Sequence, residues 1–201
     1  MKFIKSNSYE IVKMIINQVG ITIFSLVLYT SVGFVGDEGL SSTIRIFLSI
    51  FSSLFYLSLI YCAAWDFGAS DKIKIDSGKL ESQPAKGALM SLVANIPNFL
   101  IAAFAVAFMV VHLTSGNEAA YSGFAVANLL LRFINSMFLG ILQGIFSFLE
   151  GDANAYYLWQ SVGYLVAPLI TVLVAHTGYQ LGMKEFRLFA FLTPRKNPNQ
   201  K

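Results

Sequence analysis

The residues in this chain that could do chemistry are few, and most of them are amides. Asn17, Asn95, Asn98, Asn135, Arg132 and His176 stand inside long apolar stretches. In such surroundings a polar side chain must find a partner, and an ionisable one is a functional candidate by default. Asn95-Ile96-Pro97-Asn98 is the sharpest of these features. Pro97 has no N–H and frees the carbonyl of Val93, and the flanking amides can satisfy either loose backbone or a ligand. His176 suits a proton carrier, because an imidazole changes charge near neutral pH. An arginine at the middle of a span costs about 2.5–3.5 kcal/mol on insertion scales. Arg132 is therefore expected at the outer interface, where it can snorkel or recognise an anionic headgroup or substrate.

What is missing narrows the chemistry further. Two His with no Asp, Glu or Cys at ligand spacing argue against a metal site. No Ser/His/Asp set, glycine-rich phosphate loop or HExxH occurs, so no cofactor is expected and the reading leans away from an enzyme. An intramembrane acid–base pair of His176 and Asp66 is the weakest alternative. One Cys, Cys62, excludes a disulfide framework within the chain.

These residues must be positioned by elements suited to lipid. Of 201 residues only 12% are charged and 56% are hydrophobic, with a mean hydropathy of +0.64. Soluble domains carry about 25% charged residues, so a soluble globular reading is excluded. A bilayer core of about 30 Å needs about 20 apolar residues in a helix. Four stretches meet this, at about 14–35, 43–65, 87–113 and 157–181, joined by a polar loop at 66–86 and followed by a basic tail at 184–201. The alternation Lys72-Ile73-Lys74-Ile75-Asp76 before Ser77-Gly78 also allows a short strand hairpin within that loop.

The stretch 121–149 is apolar but carries Asn128, Arg132, Asn135 and Gln143. Lys and Arg concentrate in cytoplasmic loops, and four spans with the N-terminus inside place 12 of the 14 Lys and Arg on the cytoplasmic side. A fifth span would move the basic tail outside. The segment is therefore expected to be an interfacial or re-entrant helical element, broken near Gly140 or Gly144. The whole chain reads as one all-α, polytopic helical membrane domain, 1–201, with both termini in the cytoplasm.

On this topology Asn17, Gln18, Asn95, Asn98 and His176 fall in the inner half of the bilayer and are expected to converge on one cluster. Gly140-x-x-x-Gly144 and Gly178-x-x-x-Gly182 allow close helix approach, read chiefly as packing within the chain. The function expected is a solute- or lipid-binding, transport-associated subunit of a larger assembly, with the cell membrane of a bacterium as its location. The alternative is a non-transporting accessory, assembly or immunity-type protein acting through helix contacts. The expected partners are the lipid bilayer and a membrane protein or a second copy of the chain. Nucleic acid is not expected, because the cytoplasmic bias accounts for the net charge of +3.

Overall fold

The computed structural model describes residues 2–32 and 38–186, so most of the expected basic tail lies outside the described residues. Among them every regular element is helical: α1 (Lys2–Ser6), α2 (Ser8–Ser31), α3 (Glu38–Asp76), α4 (Lys86–Ala94), α5 (Ile96–Ser115), α6 (Glu118–Ile134), α7 (Ser136–Phe146), a 3-10 turn (Ser147–Leu149) and α8 (Ala153–Met183). Four of these, α2, α3, α5 and α8, are long and apolar enough to cross a membrane. Large apolar side chains such as Val27, Phe47, Leu54, Phe104 and Leu173 lie exposed on the outside. The interior holds small and polar residues, including Ala64, Ala102, Ala105, Ser52, Ser161 and Gln160. Apolar surface outside and small residues at helix contacts are what a lipid solvent favours.

α3 organises the bundle. Both Gly-x-x-x-Gly motifs close on it: Gly140 of α7 against the backbone of Arg45, and Gly178 and Gly182 of α8 against the backbone of Tyr61 and Trp65. The matching order of these contacts makes α8 parallel to α3 and α7 antiparallel to it. Both motifs are used inside the chain, as the sequence reading favoured.

At 39 residues, α3 is about 58 Å long at 1.5 Å per residue, well beyond the bilayer core. The loop expected at 66–86 is therefore helix as far as Asp76, and Lys72–Asp76 forms helix rather than strand. The physical reason is tertiary: Gly68 lies against the Tyr179 carbonyl, and Asp71 is buried against α4 and α8. The helix stops at Gly78, whose φ of +72° suits a residue without Cβ. There Lys79 N–H bonds the Lys74 carbonyl at 2.9 Å and Gly78 N–H bonds that of Ile75 at 2.9 Å.

The third expected stretch is broken at Asn95, where α4 ends and α5 begins with Pro97 in its first turn. The ambiguous stretch is a helical hairpin: α6 and α7 are bent by 115°. The break falls at Asn135, not at Gly140 or Gly144 as expected, because those glycines are needed for contact with α3. α6 starts beside the end of α5, with Tyr121 and His112 rings 4.9 Å apart. α7 ends beside the start of α3, where Gly144 meets Ile46. Both arms thus open on one face of the bundle, and the tip lies at the level of Thr22. That residue is nine positions before the end of α2, about 14 Å along the helix.

Candidate functional site

Broken helices leave backbone groups without partners, and such groups are tolerated at membrane depth only where protein satisfies them. At the hairpin tip, Thr22 donates to the Ile134 carbonyl at 2.7 Å and Ser136 donates back to the Thr22 carbonyl at 3.1 Å. Ser49 donates to the Met137 carbonyl at 2.6 Å and accepts from Ile141 N–H at 3.1 Å, while Ser53 adds a bond to Met137 at 3.0 Å. The hydroxyls of α2 and α3 therefore fix the hairpin tip against the bundle.

The polar residues singled out by sequence do not share one cavity. Asn95 and Asn98 serve the α4–α5 break: Asn98 Nδ2 donates to Asn95 Oδ1 at 3.0 Å, and Asn95 Nδ2 donates to the Ser91 carbonyl at 2.9 Å. Asn98 also lines a mostly apolar cavity of about 400 Å³ with Gln18, Thr22, Pro97 and Ile134, so α2, α5 and the hairpin tip meet there. Asn135, next in sequence, is 1% exposed, and its Nδ2 is buried without a hydrogen-bond partner. Asn17 is half-buried and, like His176, is not part of that cavity wall. His176 is half-buried on α8 with Nδ1 unpartnered. The single convergent cluster expected from sequence is thus divided.

Arg132 turns inward. Its Nη2 donates to Gln160 Oε1 at 2.9 Å, and its guanidinium stands 5.7 Å from the ring centre of Tyr157. Gln160 is fully buried on α8 and donates in turn to the Tyr156 hydroxyl at 3.3 Å. A shallow cleft of about 210 Å³ reaches Arg132 between Tyr121, Phe124, Asn128 and Tyr157. Arg132 Nε and Asn128 Oδ1 are both buried there without partners.

Tyr156 leads to a polar cavity, a chamber of about 280 Å³ at the hairpin face. α7 separates it from a groove of about 480 Å³ between α3 and α8. Phe138, Ile141, Leu142 and Ile145 face that groove, which is almost wholly apolar, whereas Gly140, Gln143, Gly144 and Ser147 face the chamber. The remaining chamber wall includes Arg45 and Ser42 of α3, Tyr156 of α8 and Glu150 of the connecting turn. Gln143 is oriented by the Tyr29 hydroxyl, which donates to its Oε1 at 2.5 Å. Arg45 stands 5.3 Å from the ring centre of Tyr29, and its Nε is buried without a partner. Hydrogen-bond donors and acceptors from four elements thus converge on a cavity able to hold a small polar group. Among the described residues, no three His, Cys, Asp or Glu come together as a metal would require.

At the opposite end of the bundle a second polar group closes α3, α4 and α8 together. Asp71 accepts from Lys86, Lys74 and Tyr179, which fixes the end of α3 that extends past Trp65. Burial pushes its carboxyl up, but the hydrogen bonds from Lys86 and Tyr179, the charge of Lys86 and the bond from Lys74 outweigh this and hold it below the usual carboxylate range.

Sequence reasoning missed Arg45, Tyr29, Glu150, Tyr156 and Gln160 as site residues. One signal was present: Arg45 and Arg132 are the two basic residues that the four-span topology leaves on the outer side, and they are the two that the chamber and its neighbouring cleft use. Comparison of the chain with protein-family models, with curated proteins and with solved structures finds no match. The functional reading therefore rests on the hairpin and the polar chamber behind it.

Proposed function

We propose that this chain is a multipass protein of the cell membrane, with both termini in the cytoplasm and α6–α7 re-entering from the outer side. In this reading it binds a small polar solute or a lipid headgroup, as a transport-associated subunit of a larger assembly. The observation that carries the reading is the chamber behind α7, whose wall Arg45, Gln143, Glu150 and Tyr156 share. Ionisable groups in membrane segments are rare and mark substrate pathways. Binding sites in membrane proteins also favour broken helices whose irregular backbone lines a cavity. The accessory-protein alternative has less support, because both Gly-x-x-x-Gly motifs are occupied within the chain.

The test is purification of the chain in mild detergent from its host membrane, followed by native mass spectrometry. A small molecule or lipid retained by the wild type and lost from Arg45→Gln is the expected result. Identical spectra for the two proteins, with no retained species, would remove the reading.

A further inference from the structure

The chamber holds one charge of each sign, and among the described residues neither is neutralised by the protein. Arg45 forms no ion pair and no side-chain hydrogen bond; its described partner is the face of Tyr29, which attracts the charge but accepts none of its N–H groups in a carboxylate's way. Glu150 lines the same wall and forms no ion pair either. The two side chains form no ion pair with one another, and Gln143 and Tyr156 occupy the wall with them. The volume of about 280 Å³ lies near the lower end of small-molecule sites, about 300–1,000 Å³.

This charge pattern discriminates among ligands. A simple anion gains Arg45 and meets Glu150, while a simple cation gains Glu150 and meets Arg45. Each pairing leaves one like-charge contact, which acts against that ligand. A molecule carrying both charges a few bonds apart meets two complementary partners at once, with its anionic end in the arginine fork, the geometry best suited to a carboxylate or phosphate. From this we infer that the chamber is a site for a zwitterion, an ammonium joined to a carboxylate or phosphate, bound through Arg45 and Glu150. The inference rests on the reading of the chamber as a ligand site. Two sources share this chemistry: a free amino acid and an aminoethyl phosphate lipid headgroup.

The experiment uses the full chain in nanodiscs of phosphatidylglycerol, which supplies no zwitterion. Thermal unfolding and calorimetry are recorded with 4-aminobutyrate, butyrate and butylamine, and in a parallel arm with phosphatidylethanolamine added to the disc. Stabilisation by 4-aminobutyrate or by phosphatidylethanolamine, with butyrate and butylamine at least tenfold weaker, is expected, and whichever arm responds names the source. Arg45→Gln and Glu150→Gln are each expected to lower the responding affinity at least tenfold. Glu150 is exposed in a turn, so its variant separates a binding effect from a folding one. Butyrate binding as tightly as 4-aminobutyrate, with Glu150→Gln silent, would overturn the zwitterion and leave the ligand site standing. No response from any probe in the wild type would overturn the inference, and the retained-ligand experiment then decides whether the chamber is a site for another class.

Discussion

Lys86 Nζ donates to Asp71 Oδ2 at 2.6 Å, with side chains that are 8% and 2% exposed, and the Tyr179 hydroxyl donates to the same oxygen at 2.9 Å. Three helices meet at this carboxylate: the extension of α3, the first turn of α4 and the end of α8. The cluster lies at the opposite end of the bundle from the chamber, where it adds a polar anchor to helices already packed closely at Gly68, Gly87 and Gly182.

Removing one partner of a buried pair leaves an uncompensated charge, which costs about 3–5 kcal/mol, whereas an apolar pair of similar volume is often neutral. Asp71→Leu and Lys86→Met are each expected to lower the unfolding midpoint markedly in mild detergent. The double variant should recover most of the loss. Losses that simply add in the double variant would mean that the two side chains are not coupled.

Asp71 is held below its ordinary value near 3.8, so the stability it contributes is present at neutral pH and is lost as pH falls through its folded-state value. Thermal unfolding of the wild type between pH 7 and pH 3 should show a loss confined to the acid end. Asp71→Asn should start less stable and lose less across that window. Parallel curves for the two proteins would assign the acid sensitivity to other carboxyls.

A Cβ on Gly182 would strike the Trp65 carbonyl, and one on Gly68 would strike that of Tyr179. Backbone cannot give way as a side-chain tip can, so Gly182→Ala is expected to cost about 1–3 kcal/mol, the range of overpacked cores. Gly20 has nothing within 4 Å, and Gly20→Ala should be neutral or stabilise by up to about 1 kcal/mol through helix propensity. Unfolding midpoints of the two variants make the comparison; equal values would contradict the close approach of α3 and α8.

The hairpin is tested by labelling with a membrane-impermeant thiol reagent in intact cells, with Cys62 replaced. Glu118→Cys at the start of α6 and Gly151→Cys after α7 should react alike from outside, and Glu81→Cys in the turn between α3 and α4 should be protected. Labelling at Glu118→Cys with protection at Gly151→Cys would make α6–α7 one broken span and place the end of α8 outside.

The class of the protein was legible in the sequence because it depends on local quantities. Apolar length and sparse charge identify helices able to cross a membrane whatever their neighbours do: the expected stretches 43–65 and 157–181 lie within α3 and α8, 87–113 falls on α4–α5, and 14–35 overlaps α2 as far as Ser31, its last residues lying outside the described ones. The small-residue motifs were legible for the same reason, since a missing side chain permits close approach in any partner arrangement. Tertiary structure decided where polar groups go. Arg132 faces Gln160, 28 positions away, and Asp71 faces Lys86 and Tyr179, 15 and 108 positions away. No local pattern encodes such partners. Asn135 breaks the hairpin because the alternatives, Gly140 and Gly144, lie against α3. The chamber follows from the same cause: Arg45, Gln143, Glu150 and Tyr156 come together only once α7 has folded back between α3 and α8.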